Sequence, residues 1–585
     1  MFLCRCACLL LLWPLVSTAQ TTPTANQAYE YLQNERARVR QIIGTSTTPP
    51  IDSLKKGAQV LQEALAYYQR PDILALTRTN KSLYYRKTDI LYDLSRIQSR
   101  LNDQPAAVAS LQQLLTPEFA DVYAPWILDD SYLTSVRQDP ALKPILDKAA
   151  AGINTFRSKA LATPYQPNLS DDEKVAGLSK MWAEAKYNFA YFDHIPDVDW
   201  DRLYLEYLPK VRATPNTVAY YRVLKQFYAQ LRDGHTDVWA PSGPLADSVA
   251  FRPPVVAQLV EGRVFVQQVR HDSLMRSGII PGLEIVQIDG LPVRDYADRY
   301  VRPYQSGSTP QNIDVQTYGY QLLRGPKDRP VTVMFRDARG KTFSRALPRS
   351  GYSTLTPVES VIIKYLPGNV AYVQLNEFES NRGFKRFVAA FDTIAAANAL
   401  ILDVRQNGGG DSGNGWNILS YLTDKPFATG SYRSRVYSPV RRARGENVLF
   451  EPVDTGNTWA ANREKLFSKP VAVLIGGMTF SAAEDFTVAF AAMKRGKLIG
   501  EPTGGSTGQP LGFSLPGGIM ARVCTKRDAF PDGTEWVGKG IQPDILISPT
   551  AADVLAGRDP ALDAALRELA PPVATKPARK TKSSR

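Results

Sequence analysis

From residue 25 to 160 apolar positions recur at helical spacing. Tyr29, Leu32, Val39 and Ile42 fall near one stripe, and Leu54, Val60, Leu61 and Leu65 near another, the pattern of amphipathic helices. Pro49-Pro50 breaks one pair, and Asn102-Asp103 punctuates before the run 106–115. This predicts an all-helical region, either tetratricopeptide-like hairpins or a plain bundle, with no clean repeat of the expected period. A second helical block, 165–245, is anchored by Trp182, Tyr187, Phe192, Trp200, Tyr204 and Tyr207. It stops at Asp233-Gly234-His235-Thr236, where glycine ends the helix.

Between 250 and 350 the pattern turns to strands. Residues 263–270 predict a strand, 273–278 a short helix, and the run from Ile279 to Gly290 a turn, a strand and a tight turn. A hairpin is expected across Arg339-Gly340. From 355 to 550 strands (370–375, 399–404, 471–475) alternate with helices (383–397, and 482–494 with a stop at Gly496). That alternation predicts an α/β core.

Length supports several domains, since 585 residues exceed one ordinary core. The net charge of +13 is concentrated in Lys576, Arg579, Lys580, Lys582 and Arg585, within a basic tail (570–585) expected to be disordered. No basic stripe interleaved with aromatics occurs elsewhere, which argues against nucleic acid as a partner. Residues 1–19 have the layout of a signal peptide: Arg5, the apolar run 7–16, then Ser17-Thr18-Ala19. The run is too short to span a bilayer, so a periplasmic or extracellular protein without a membrane span is expected. Cys4, Cys6 and Cys8 lie in that segment and leave Cys524 alone, without an intrachain disulfide. Asp197, Asp199 and Asp201 lack the glycine and distal glutamate of a calcium loop. Helix capping suits them better, and neither metal nor organic cofactor is expected.

Three elements carry chemistry. Asp403-Val404-Arg405-Gln406-Asn407 runs into Gly408-Gly409-Gly410, where backbone N–H groups can approach a developing charge. No Gly-Lys-Ser/Thr follows, so a phosphate loop is ruled out. In Thr479-Phe480-Ser481-Ala482-Ala483-Glu484 a strand turns into a helix and puts Ser481 at its N-terminus. Ser481-x-x-Glu484 also reads as a capping box. Of the three histidines, His235 sits in a polar turn after a helix stop, whereas His194 and His271 have bland surroundings. His235 is therefore the candidate base for a Ser481 nucleophile. Gly410-Asp411-Ser412-Gly413 spells a chymotrypsin-type nucleophile, but its α/β surroundings make Ser412 a helix-capping residue, with the helix beginning near Gly415.

The segment around Ile279–Gly290 resembles a PDZ domain, with Glu284 and Asp289 standing where Asp and Asn are usual. Residues 170–549 resemble the carboxyl-terminal-processing (tail-specific) serine peptidases, especially the tricorn-core-like branch. The shared features are the Asp-Gly-His-Thr turn, the PDZ segment, Asp403-x-Arg405-x-Asn407 with its glycines, Thr479–Glu484, Gly500–Gly505 and Gly540-Ile541-Gln542-Pro543-Asp544. The resemblance implies a crotonase-like (ClpP-like) catalytic core, a PDZ-like β domain and peptide-bond hydrolysis. The Ser–Lys branch of that family carries a lysine ~25 residues after its serine, and here that position is Ser506. The resemblance therefore favours the branch that uses Ser, His and Glu, with Gly409 and Ala482 as oxyanion donors and Gly410 in support. The acid beside His235 is either Glu484 or Glu535, with Glu535 favoured by its place before the Gly540–Asp544 motif.

The expected function is an exported serine endopeptidase that cleaves polypeptides through an acyl-enzyme and docks chain ends in its PDZ-like groove. From a different class comes a catalytically silent peptide- or ligand-binding protein, since the same fold family includes interphotoreceptor retinoid-binding modules. An esterase, or a peptidase of short peptides, is the third reading.

Overall fold

The Thr24 hydroxyl accepts the Gln27 N–H while the Gln27 side chain accepts the Thr24 N–H, and this capping box starts the helix Ala25–Ile43. The computed structural model describes residues 23–44, 46–78, 80–350, 358–446, 449–451, 458–462 and 464–570. The expected signal peptide and basic tail lie outside the described residues. Two compact units emerge, divided after Ser158.

The first unit is all helical. Helix Arg86–Arg100 is its shared element. Its Ile90, Leu94 and Ile97 join Leu32, Leu54 and Leu61 in one apolar cluster, while Leu91 joins Leu111, Ile127 and Leu146 in another. Arg36 ties the first helix to that element through Asp89 and Asp93.

The second unit is built on a six-stranded sheet in the order Ile545–Leu546, Gly496–Gly500, Val471–Ile475, Ala399–Asp403, Val370–Leu375, Val361–Leu366. All pairings are parallel except the last. Every residue of Ala399–Asp403 and Val471–Ile475 is buried, as both faces of a parallel sheet are covered. Alternation decides which cover each side chain meets. Leu400 and Leu402 pack with Phe486, Val488 and Phe490 of the helix Ala482–Met493, whereas Ala399 and Ile401 pack toward Ala564 and Ala565 of the helix Pro560–Glu568.

The block 165–245, expected as a helical cap region of the peptidase, lies within this second unit. Helices Asp171–Asn188, Trp200–Arg212 and Thr217–Ala229 share one core with strands Leu511–Leu515 and Ile519–Val523. Strand Asp237–Trp239 adds antiparallel to Ile519–Val523. This addition brings the turn 233–236 to the large sheet from a distant part of the sequence.

Residues 255–347 form a β domain with the antiparallel order Val255–Val260, Arg263–Val269, Glu284–Ile288, Val331–Arg336, Thr342–Leu347, and helix Val293–Tyr300 packs on it. Smaller differences from expectation have local causes. The helix expected over 383–397 breaks at Ala390 into Arg382–Ala389 and Phe391–Ala396. The helix Ala482–Met493 ends at Lys494 in the left-handed region, and Gly496 opens the next strand. Asp199 caps Trp200–Arg212 through the Arg202 N–H, Asp201 pairs with Lys186, and Asp197 pairs with Arg232. Among the described residues no helix is long and apolar enough to cross a membrane.

Candidate active site

Three neighbouring parallel strands, Ala399–Asp403, Val471–Ile475 and Gly496–Gly500, release their loops from the same carboxyl edge. Open α/β sheets place ligands at that edge. The first loop carries the glycines 408–410, the second Ser481 and the third Ser506.

Ser481 follows a tight turn held by two bonds of Thr479. Its hydroxyl accepts the Gly476 N–H at 3.0 Å and donates to the Val404 carbonyl at 2.9 Å. The Phe480 N–H donates to the Asn407 carbonyl at 3.0 Å, stitching the serine turn to the glycine loop. Ser481 itself has φ 57° and ψ −125°, a backbone that glycine tolerates and other residues hold only under constraint. Helix Ala482–Met493 starts immediately after it, with the Glu484 N–H donating to the Ser481 carbonyl.

His235 lies across the cleft from the serine, with its Nε2 3.0 Å from Ser481 Oγ. The residue is 4 % exposed. Asp233 shapes the turn: its Oδ2 accepts the His235 N–H at 3.0 Å and the Thr236 hydroxyl at 2.8 Å. Ser306 and Ser308 hold Asp233 and Gly234 from the segment of the β domain between the helix Val293–Tyr300 and the strand Val331–Arg336. Burial pushes the Asp233 carboxyl up to about 6 against these donors. Burial also lowers the His235 imidazole to about 3, with the Arg522 and Lys526 cations adding to the effect. No carboxylate offsets it on the ring.

The acid expected beside the histidine is not there. Glu535 forms a two-pronged pair with Arg527 at 2.9 and 2.7 Å and a longer contact with Arg433. Burial would raise its carboxyl, but the two guanidiniums hold it below the usual value. The bridge between Ala529 and Glu535 turns the side chain toward those arginines. The group that meets His235 Nδ1 is the Ser506 hydroxyl, 2.9 Å away. Sequence reasoning reached Ser506 only as the place where a lysine is missing. The other candidate acid, Glu484, is completely buried one turn behind Ser481. It accepts from the Thr503 hydroxyl (2.5 Å) and from the N–H groups of Gly505 (2.8 Å), Ser506 (3.0 Å) and Ser481 (3.3 Å). Burial pushes its carboxyl up to about 8, while all four donors pull toward the anion. Glu484 thus organises the loop 503–506 and does not touch the imidazole.

The glycine loop also differs from expectation. Gly409 does lie against Ser481, for a Cβ there would stand 2.7 Å from Ser481 Cβ. Its N–H, however, donates to Asn407 Oδ1 at 2.9 Å, so it is not open to an oxyanion as it stands. The N–H groups of Ala482 and Gly410 make no hydrogen bond among the described residues. Gly410, at φ 133°, passes so close to Phe378 that a Cβ would come within 2.2 Å of its carbonyl carbon.

The remaining candidates stand elsewhere. Ser412 begins a helix capped by Asp411, whose Oδ1 accepts the Gly413 N–H, and the Ser412 hydroxyl donates to Asp485 at 2.5 Å. The expected cap and start at 412–415 therefore move back by one and three residues. His194 is exposed, with its ring 4.9 Å from that of Tyr191 and tilted 40° to it, and His271 bonds to Ser273. Cys524 is buried. Among the described residues no cluster of His, Cys, Asp and Glu could hold a metal ion.

Comparison with known proteins places this arrangement. Residues 369–547, which include the glycine loop, Ser481 and Ser506, match the model of peptidase family S41. A chloroplastic carboxyl-terminal-processing peptidase 2 of Arabidopsis thaliana is 27% identical over 277 residues, 46% of this chain and 46% of its own. A CtpA-like serine protease of Staphylococcus haemolyticus is 23% identical over 251 residues, 42% of this chain and 47% of its own. These matches span about half the length of each relative. In fold, residues amounting to 66% of the chain superpose on 95% of mature CPAF, solved with lactacystin, at a TM-score of 0.53 and 16% identity. Residues 369–547 are thus similar to peptidase family S41, and the relatives matched over about half their length include serine proteases.

Proposed function

We propose that the chain hydrolyses peptide bonds by acyl-enzyme chemistry, with Ser481 as nucleophile and His235 as its base. The observation that carries this reading is the 3.0 Å approach of His235 Nε2 to Ser481 Oγ across 246 residues of sequence. As Ser481 Oγ bonds to the scissile carbonyl carbon, its proton passes to Nε2, and Nε2 returns it to the amine as the carbon–nitrogen bond breaks. Water then repeats the sequence to free the acyl group. The Ala482 and Gly410 N–H groups, rather than the engaged Gly409 N–H, receive the oxyanion. The core that does this is of crotonase type. The domain 255–347 is of PDZ type and docks extended chain ends by strand addition. The protein acts outside the cytoplasm after loss of residues 1–19. No cofactor enters the reaction.

A fluorophosphonate probe tests the reading. Covalent labelling at Ser481, lost in Ser481→Ala and strongly slowed in His235→Ala, is the expected result. A folded wild-type chain that neither labels nor cuts an unfolded polypeptide overturns it in favour of a silent binding protein.

A further inference from the structure

A serine peptidase that uses a histidine base has to hold its imidazole in one tautomer and one orientation, a task usually given to a carboxylate. Here the carboxylates of Asp233, Glu484 and Glu535 are engaged with something else. Asp233 Oδ2 is taken by the His235 main chain and the Thr236 hydroxyl, Glu484 by four donors, and Glu535 by Arg527. What remains at Nδ1 is the hydroxyl of Ser506, 2.9 Å away on a residue that is 0 % exposed.

Ser506 is itself fixed on both sides of its peptide. Its N–H donates to Glu484 Oε2 at 3.0 Å, and its carbonyl accepts the Ser481 N–H at 3.3 Å. The Ser481 N–H is shared with the same Glu484 oxygen. With the His235–Ser481 approach, three residues close a ring, Ser481 to His235 to Ser506 and back to Ser481, and Glu484 braces it. Glycines make room for it. A Cβ on Gly234 would come within 2.9 Å of Ser506 Cβ, and one on Gly505 would meet the Gly540 N at 2.7 Å.

We propose that Ser506 is the positioning residue of this site: its hydroxyl accepts the Nδ1–H of His235, keeps Nε2 bare toward Ser481, and transmits the bracing of Glu484 to the imidazole. The proposal rests on the reading of Ser481 and His235 as nucleophile and base. A neutral hydroxyl fixes the tautomer without supplying the negative charge that would stabilise imidazolium. The other groups around the ring reinforce that difference. Arg522 comes from the strand Ile519–Val523 and Lys526 from the strand Lys526–Ala529, and both are cations. Asp233 turns its carboxylate to the main chain of its own loop, Glu484 lies behind Ser506 on the helix side, and Cys524 is buried nearby with its thiol pushed up by burial.

The chain has only three histidines, so the ring nitrogens can be followed individually in the full-length protein by ¹⁵N-histidine NMR, assigned with His194→Gln and His271→Gln. In the wild type the His235 resonances should report the neutral Nδ1–H tautomer over the mildly acidic and neutral range. Ser506→Ala should shift the tautomer toward Nε2–H and lower kcat about 10- to 100-fold with KM within about twofold, a smaller loss than the ~10⁴-fold seen when a carboxylate orienter is removed. Ser506→Asp should raise the His235 titration midpoint, because a carboxylate at Nδ1 favours imidazolium. An unchanged tautomer and midpoint in Ser506→Ala overturns the proposal, whatever the enzyme turns over. Failure of the underlying reading is distinguishable, since it shows as absent fluorophosphonate labelling of wild-type Ser481.

Discussion

The ring of His235 lies flat on that of Phe480, with centroids 4.7 Å apart and planes 7° from parallel. Phe480 is the residue before Ser481, so the turn that presents the proposed nucleophile also presents a platform for its proposed base. The two are therefore coupled in position: the turn cannot move without carrying the imidazole. Phe480→Ala should lower kcat by roughly tenfold to a hundredfold with little change in KM, as expected when a base is misplaced by about 1 Å. Kinetics on an unfolded polypeptide substrate, with circular dichroism as the check on folding, measures this.

Replacing the two candidate serines separates the site from its look-alike. Ser481→Ala should cost ~10⁴-fold or more in kcat. Ser412→Ala should keep most activity, because the Ser412 hydroxyl is spent on Asp485. The reverse outcome would move the nucleophile to the glycine loop.

The pH dependence follows from the burial of His235. Its imidazole is lowered from 6.5 to about 3 in the folded chain, so it is already an unprotonated base at neutrality. The rate should accordingly be flat through pH 6–7 and fall only in strongly acidic solution. Stability carries the same sign. A depressed folded value means that the unfolded chain binds the proton more tightly, so this histidine's contribution is present above 6.5 and is lost as pH falls toward 3. Glu484 and Asp233, raised to about 8 and about 6, act with the opposite sign, so the histidine term is read as a difference: in denaturant melts the stability of the wild type relative to His235→Gln should decline between pH 7 and 4. A rate limb centred near neutrality would mean that the imidazole is solvated.

Glutamate replacements should rank opposite to what chain order suggests. Glu535→Gln removes partly exposed ion pairs with Arg527 and Arg433, costing about 1 kcal/mol or less and leaving kcat near wild type. Glu484→Gln places an amide NH₂ among four donors. It should destabilise the fold by about 1–3 kcal/mol and lower kcat, because the loop 503–506 loses its common acceptor. Thermal melts and turnover on the same preparations check both.

What could be read from the chain was whatever is local. The buried strands at 370–375, 399–403 and 471–475 show as apolar runs, and Ser481 shows as the junction of strand and helix. His235 emerged because few histidines compete with it. The partner of the imidazole did not, since it depends on which residue of a glycine-rich loop returns beneath a turn 271 residues away. Chain order pointed to Glu535, and the pull of Arg527 on that carboxylate is invisible without the fold. The role of the Gly409 N–H was missed for a similar reason: the Asn407 side chain, two residues earlier, bends back to accept it. Local signal existed in one case only. Ser506 follows two glycines after a strand, as Ser481 follows a strand, and that parallel could have marked it.

The left-handed backbone of Ser481 has a consequence for how this protein ages under mutation. A side chain held at φ 57° and ψ −125° costs about 1–3 kcal/mol relative to a relaxed residue, and glycine is relieved of that strain. The position is thus one where losing the reaction gains robustness: Ser481→Gly should melt no earlier than Ser481→Ala, and both should be inert. On the proposed reading, selection for catalysis must hold the serine against a standing thermodynamic preference for its loss. A lineage freed from the need to cut would be expected to drift there first, keeping the fold and its surfaces while silencing the chemistry.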